Sequence, residues 1–304
     1  MPELPQLAVF PTASDALTAT VPRQLVHRAA FAETLLTGWR RIGTDQFRVA
    51  AQWPRAHPLH VSSDRTAYEP LLVTETVRQG GTLLAHTEYD VPLDHRFVLQ
   101  ELRVSTRPEY LAVGPAPAEP VVDITILDIR RRAGRVVAFD LTAAVSIENT
   151  QVASAFFAAS WTSEPVYRRL RGGRTAASVT ALEPPPGLPS AVVERTVPAD
   201  VVLARPDRPG RWQLRVDTAH PVFFDHPLDH VPGMLLLEAA GQAARVTGGG
   251  EYEPISFHAT FDRYAELDQP TWIEAELGPD AQLQVIGVQG DSPVFACRVG
   301  TVAR

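Results

Sequence analysis

The sequence predicts an α+β protein made of two tandem copies of one unit, each an antiparallel sheet wrapped around a buried helix. Three observations carry this expectation. The chain has 304 residues, which suits two units of roughly 150 residues better than one. It repeats itself in a fixed register. In each copy one apolar helix is followed by several alternating runs.

The repeat comes first. Ala56-His57-Pro58 recurs as Ala219-His220-Pro221, a shift of 163 residues, and Leu72/Leu235, Glu75/Glu238, Gln79/Gln242 and His95/His258 keep that shift. Upstream, Val21-Pro22 with Leu25-Val26 is matched to Val197-Pro198 with Val201-Val202 at a shift of 176, which predicts a length difference of 13 residues between the copies. The Pro-rich stretch Glu183-Pro184-Pro185-Pro186-Gly187-Leu188-Pro189 reads as a semi-rigid linker. The expected units are 15–175 and 191–304, with the linker at 176–190.

In the second copy, Val231 to Arg245 is apolar nearly all round, as a buried helix is, with Asp229 as candidate N-cap and Pro232 in the first turn. Strands are expected over 255–261, 271–277, 283–288 and 294–302, and in the first copy over 97–104, 121–129, 136–147 and 152–161. This is the hotdog arrangement, and the expected architecture is a double hotdog. The two copies share a paired edge strand and form a pseudo-dimer.

Composition excludes several classes. All 28 basic residues are Arg, which removes Schiff-base, pyridoxal-phosphate and P-loop lysine chemistry. A net charge of −7 argues against broad nucleic-acid binding. No run approaches the roughly 18 apolar residues of a membrane span. The opening residues lack the pattern of a signal peptide, so a cytoplasmic location is expected. The single Cys297 excludes an intrachain disulfide framework and reads as a packed thiol in a strand. Arg130-Arg131-Arg132 and Arg168-Arg169 with Arg171 and Arg174 read as a hairpin tip and a linker, or as docking points for an acidic partner.

The candidate chemistry lies on the helices and at their starts. Glu238 stands within Met234-Leu-Leu-Leu-Glu-Ala-Ala240, where burial raises a carboxyl toward neutrality and suits it to acid–base work. Gln242, one turn on, can orient that carboxylate or a substrate carbonyl. Glu75 and Gln79 reproduce the pair, and Arg78 can hold a phosphate or pair with Glu75. A buried Glu satisfied by backbone amides is the plainer alternative. Before the second helix, His226, Asp229, His230 and Gly233 approach a helix N-terminus able to receive a thioester oxygen or an anion. His226 and His230, four apart on a Pro-containing loop without a third nearby ligand, make a poor zinc site. His57 and His220 read equally as turn caps or catalysts, and His95 and His258 as core histidines.

The run His226-Pro-Leu-Asp-His-Val-Pro-Gly-Met-Leu-Leu-Leu-Glu-Ala-Ala-Gly-Gln242 resembles the helix entry of hotdog hydroxyacyl-carrier-protein dehydratases. Together with the duplication and with Val21-Pro22-Arg23-Gln24-Leu25-Val26-His27-Arg28, it is similar to the A-factor biosynthesis family of actinomycetes, the AfsA-like γ-butyrolactone synthases, over nearly the whole chain. The resemblance implies a transferase without a redox cofactor or metal. It would move a β-ketoacyl group from acyl carrier protein to the hydroxyl of dihydroxyacetone phosphate or a similar small phosphorylated acceptor, with self-association allowed. It implies a Glu in each helix, matched by Glu75 and Glu238, and an Arg one turn after the second, where this chain has Gly241. Arg78 holds the equivalent place in the first copy, and Arg245 lies one turn further along the second helix. Two other readings stay open. One is a 3-hydroxyacyl-thioester dehydratase with His226 as base and Glu238 as acid; the other is a non-catalytic acyl- or carrier-binding module.

Overall fold

The computed structural model describes residues 19–278 and 282–304. The opening segment inspected above for a leader, and residues 15–18 of the first expected unit, lie outside the described residues.

Twelve strands form one antiparallel sheet in the order β1-β2-β4-β5-β6-β3-β9-β12-β11-β10-β8-β7. The first half comprises β1 (Leu36–Gly43), β2 (Gln46–Ala51), helix α1 (Pro70–Glu88), β3 (Arg96–Thr106), β4 (Val121–Arg132), β5 (Arg135–Ile147) and β6 (Thr150–Thr162). A short helix, α2 (Glu164–Leu170), follows. The second half comprises β7 (Leu203–Arg208), β8 (Arg211–Leu214), helix α3 (Gly233–Thr247), β9 (Tyr252–Phe261), β10 (Thr271–Leu277), β11 (Gln282–Gln289) and β12 (Ser292–Ala303). The strand order of the second half is the mirror of the first. A tandem hotdog pair results, and β3 and β9 join its halves through Glu101↔Thr260, Arg103↔His258 and Ser105↔Ser256. The Thr106 hydroxyl adds a bond of 2.8 Å across this seam to the Ile255 carbonyl.

Both helices are buried almost all round, because the curved sheet covers one side and the opposite half approaches the other. The polar residues of α1 therefore need internal partners. Thr74 and Thr82 donate to the carbonyls four residues back, and Thr76 does so while accepting from the Trp53 indole at 2.8 Å. Two glycines let α1 approach the sheet: a Cβ on Gly80 would stand 2.7 Å from Ile124, and one on Gly81 2.9 Å from Leu141. Among the described residues no helix is long and apolar enough to cross a membrane.

Two expectations need correction. Asp229 does not cap α3: Pro232 occupies the N-cap without a side-chain bond, and Asp229 is drawn away by Tyr167 and Arg171. His258 is not a core histidine. It lies on β9, its side chain 40% exposed, and bonds Glu101 across the seam at 3.0 Å.

Candidate active site between the two copies

Each helix glutamate meets an arginine that sequence reasoning did not single out. Pro22 opens a 3-10 turn, Arg23–Val26, closed by His27 in the left-handed region (φ 54°), and Arg28 then points inward. Its Nη2 reaches Glu75 Oε1 at 2.7 Å. The second copy repeats this residue for residue. Pro189 opens the turn Ser190–Val193, Glu194 closes it at φ 57°, and Arg195 grips Glu238 with Nε and Nη2, both at 2.8 Å. A left-handed non-glycine residue costs about 1 kcal/mol. Paying it at the same place in both copies aims the following arginine into the core.

The glutamines complete the repeated unit. Gln79 Nε2 donates to Glu75 and to the Glu33 carbonyl, both at 2.7 Å, while its Oε1 accepts from the Leu35 amide at 3.0 Å. Gln242 does the same with Glu238 (2.7 Å), the Asp200 carbonyl (2.8 Å) and the Val202 amide (3.0 Å). These pairings correct the upstream register. Pro22/Pro189, Arg28/Arg195, Glu33/Asp200 and Leu35/Val202 all keep a shift of 167, not 176. The copies thus differ by four residues before Ala56 and Ala219, since 167 less 163 is four.

Arginines set the protonation of Glu75. Burial pushes its carboxyl up, but Arg28 and Arg78, with hydrogen bonds from Arg78 and Gln79, hold it far below the ordinary carboxylate range. Arg78 binds both oxygens, Nε to Oε2 at 2.8 Å and Nη2 to Oε1 at 2.7 Å. A carboxylate so saturated is a weak base and, at neutral pH, no acid. It is an anchor for guanidinium groups.

Around the anchors the two side-chain clusters diverge. The first is completed by the second copy. Arg28 donates to the Val222 carbonyl at 3.4 Å and stands 3.6 Å from Asp225. Asp225 also accepts from the Ala29 amide at 2.9 Å and binds His226 Nδ1. Asp225 is buried, and despite that burial its bond to His226 and the charge of Arg28 keep its carboxyl below the usual range. The His226 side chain is 38% exposed. With Nδ1–H committed to the carboxylate, its Nε2 keeps a lone pair and has no partner among the described residues. Through Asp225 and Arg28, His226 is linked to the Glu75 cluster of the other copy.

His27 stands beside this cluster. His86 donates from Nδ1 to the Val91 carbonyl (2.7 Å), so its Nε2 accepts from His27 Nε2 at 2.8 Å. Burial, with the nearby His86, Arg78, His226 and Arg96, lowers the His27 pKa to about 3, so the ring stays neutral. The Arg78 side chain keeps 24% of its surface exposed while bound to Glu75, against 9% for Arg28.

The second cluster is closed. Glu69, at the N-cap of α1, reaches across to Arg195 (3.3 Å) and Arg245 (2.6 Å), and Arg245 also meets Glu194 at 3.3 Å. Glu238, Arg195, Glu69 and Arg245 are all buried. The Arg245 guanidinium lies over Gly241: a Cβ there would stand 3.6 Å from its Nη1 and from the Phe257 ring.

The remaining candidates serve the frame. Asp229 accepts from the Tyr167 hydroxyl at 2.7 Å and from Arg171 at 3.0 Å, and His230 Nδ1 meets Asp229 at 2.7 Å. Both face α2, away from the start of α3. Gly233 packs under Phe261, whose ring a Cβ would approach to 3.1 Å. His57 and His220 cap turns. Nδ1 of His57 accepts from the Leu59 and His60 amides, and Nδ1 of His220 from the Val222 and Phe223 amides. This tautomer explains why the cluster of Glu33, His57 and His60 is a poor metal cradle: His57 Nε2 carries its proton toward Glu33 (3.4 Å) and has no lone pair to offer.

A family model described as the A-factor biosynthesis hotdog domain matches residues 11–163 and 177–278. A "2-oxo-3-(phosphooxy)propyl 3-oxoalkanoate synthase" of Streptomyces virginiae is 45% identical, covering 94% of this chain and 98% of that protein. A protein of the same name from Streptomyces coelicolor is 37% identical over 95% of this chain and 94% of its own length. Among solved structures, a 12:0-ACP thioesterase from Umbellularia californica superposes with a TM-score of 0.54 at 10% identity, covering 87% of this chain and 100% of that one. An acyl-ACP thioesterase from Bacteroides thetaiotaomicron gives 0.51 at 12%, covering 84% and 98%. These likenesses show the fold.

Proposed function

This chain belongs to the A-factor biosynthesis hotdog family, and from that premise we propose that it is a cytoplasmic 2-oxo-3-(phosphooxy)propyl 3-oxoalkanoate synthase working at the pocket between Glu75 and His226. It transfers a β-ketoacyl group from a carrier-protein thioester to the free hydroxyl of dihydroxyacetone phosphate. The observation that carries this reading is the Asp225–His226 dyad of one copy set against the Arg28–Glu75–Arg78 anchor of the other.

The dyad supplies a base. His226 Nε2 takes the proton of the acceptor hydroxyl as its oxygen attacks the thioester carbonyl. Collapse of the tetrahedral adduct breaks the C–S bond, and the imidazolium returns its proton to the departing thiolate. One C–O bond forms, one C–S bond breaks, and no oxidant or reductant is needed. Asp225 steadies the transient imidazolium. Arg78, fixed by Glu75 yet partly exposed, binds the phosphate of the acceptor. Dehydration of a 3-hydroxyacyl thioester would use the same base but needs a protonated acid. Glu75, locked as a carboxylate, cannot serve as one.

The test supplies a β-ketoacyl thioester and dihydroxyacetone phosphate and follows the phosphorylated ester by mass spectrometry. Wild type should form it, and His226→Ala should lower kcat by about 10²–10⁴-fold, the usual contribution of a general base. Turnover of a 3-hydroxyacyl thioester without acceptor, and none with dihydroxyacetone phosphate, would overturn the reading.

A further inference from the structure

Helix α2 is built inside out. Its buried residue is Tyr167, and Arg171, which closes the helix one turn on, is buried as well. Arg171 fills its buried place with Asp229 and, through two bonds of 2.7 Å, with Glu266. The outward face carries the apolar side chains. Leu170 is 71% exposed, and Val166, one turn before it, is exposed as well. A free-standing helix would place these inward. Exposed apolar residues rimmed by charge mark interaction surfaces.

The charge around this face is one-sided. Arg96, at the start of β3, and Arg168 share the single carboxylate of Glu164, at 2.7 and 3.0 Å. Arg169 has no acid partner among the described residues. Three guanidinium groups thus face one carboxylate, in a chain whose net charge is −7. Arg171 and Arg174 do not add to the excess, since Asp229, Glu266 and Asp268 neutralise them.

The face also stands beside the pocket. The Tyr167 hydroxyl holds Asp229, three residues after His226, and the Arg96 guanidinium lies 5.7 Å from the Tyr167 ring. Arg96 and His226 both bear on His27.

We propose that the outward face of α2, with Val166, Arg168, Arg169 and Leu170, docks the acidic carrier protein that delivers the acyl thioester to the His226 pocket. The proposal rests on the transferase reading for its choice of partner. Carrier proteins of this type present acidic helices around the attachment point of their flexible pantetheine arm. An apolar pair flanked by arginines complements such a helix and repels a basic partner.

The test compares wild type with Arg168→Glu/Arg169→Glu, and with Leu170→Ala as a second variant whose charge is unchanged. One 3-oxoacyl group is presented twice, on an acyl carrier protein and as its N-acetylcysteamine thioester. Carrier binding is also measured directly by titration calorimetry. The double variant should lose about 10-fold or more in kcat/KM for the carrier-linked substrate and in carrier affinity, while the small thioester is used as by wild type. Leu170→Ala should move both carrier readouts in the same direction. Wild-type binding should weaken with added salt. Equal carrier binding by wild type and both variants, or none by wild type, overturns the docking face. Carrier binding that the variants lose, without ester formation from either thioester, keeps the docking face and overturns the transferase reading.

Discussion

Glu75→Gln will lower kcat/KM for ester formation by about 100-fold or more, although Glu75 is not the base. Its carboxylate holds both arginines of the first cluster, Arg28 at 2.7 Å and Arg78 through two bonds. Arg28 in turn stands against Asp225, which orients His226. Removing the charge shifts the Arg78 guanidinium and the Asp225–His226 dyad together. Misplacement by about 1 Å costs on the order of 10²-fold. Stability falls as well, because one partner of a buried ion pair is lost at about 3–5 kcal/mol, with Glu75→Ala more severe than Glu75→Gln. Kinetics at matched folded fraction, set by calorimetry, separate the two effects. An active Glu75→Gln enzyme would remove the anchor from the account.

Arg195→Ala will have the largest effect on stability. Arg195 sits between Glu238 and Glu69, gripping the first with two bonds of 2.8 Å and reaching the second at 3.3 Å. Without it Glu238 keeps only the Gln242 bond among its side-chain contacts. The penalty of a stranded buried charge is about 3–5 kcal/mol, which lowers Tm by on the order of 10 °C in a chain of this size. Arg195→Lys should recover little, since an ammonium cannot reproduce the paired Nε and Nη2 bonds. The interaction also ties the copies together, because Glu69 comes from the first half and Arg195 from the second. Scanning calorimetry that shows Arg195→Ala as stable as wild type would contradict this.

Much of the fold is legible in the sequence, and the parts that are not share a cause. The eight strands that follow α1 and α3 alternate because one face of each lies on a helix, and their expected bounds fall within those of β3–β6 and β9–β12. The four strands that precede the helices, β1, β2, β7 and β8, escape notice. β1 and β7 are the sheet edges, with Arg40-Arg41 and Pro206 where a pattern would be needed, as protected edges have. Helix α2 reads as linker because its apolar residues point outward. In the site, Glu75, Gln79, Glu238 and Gln242 are visible as repeated pairs on apolar helices. Arg28 and Arg195 are hidden by a register error: Val197-Pro198 imitates Val21-Pro22, while the true match is Pro22…Val26-x-Arg28 with Pro189…Val193-x-Arg195. Burial alone would raise the Glu75 carboxyl, and the balance reverses once Arg28 from outside the helix joins Arg78 on it. Nor can sequence spacing show that Asp225, next to His226, reaches Arg28 of the other copy.

The central claim is that the pocket is assembled across the copies, with His226 acting beside Glu75 and not beside Glu238. A double-mutant cycle measures this directly: kcat/KM for His226→Ala combined with Glu75→Gln, and separately with Glu238→Gln. The geometry predicts strong non-additivity with Glu75, the double variant being little worse than the poorer single one, and near-additivity with Glu238. Coupling to Glu238 with none to Glu75 would contradict it.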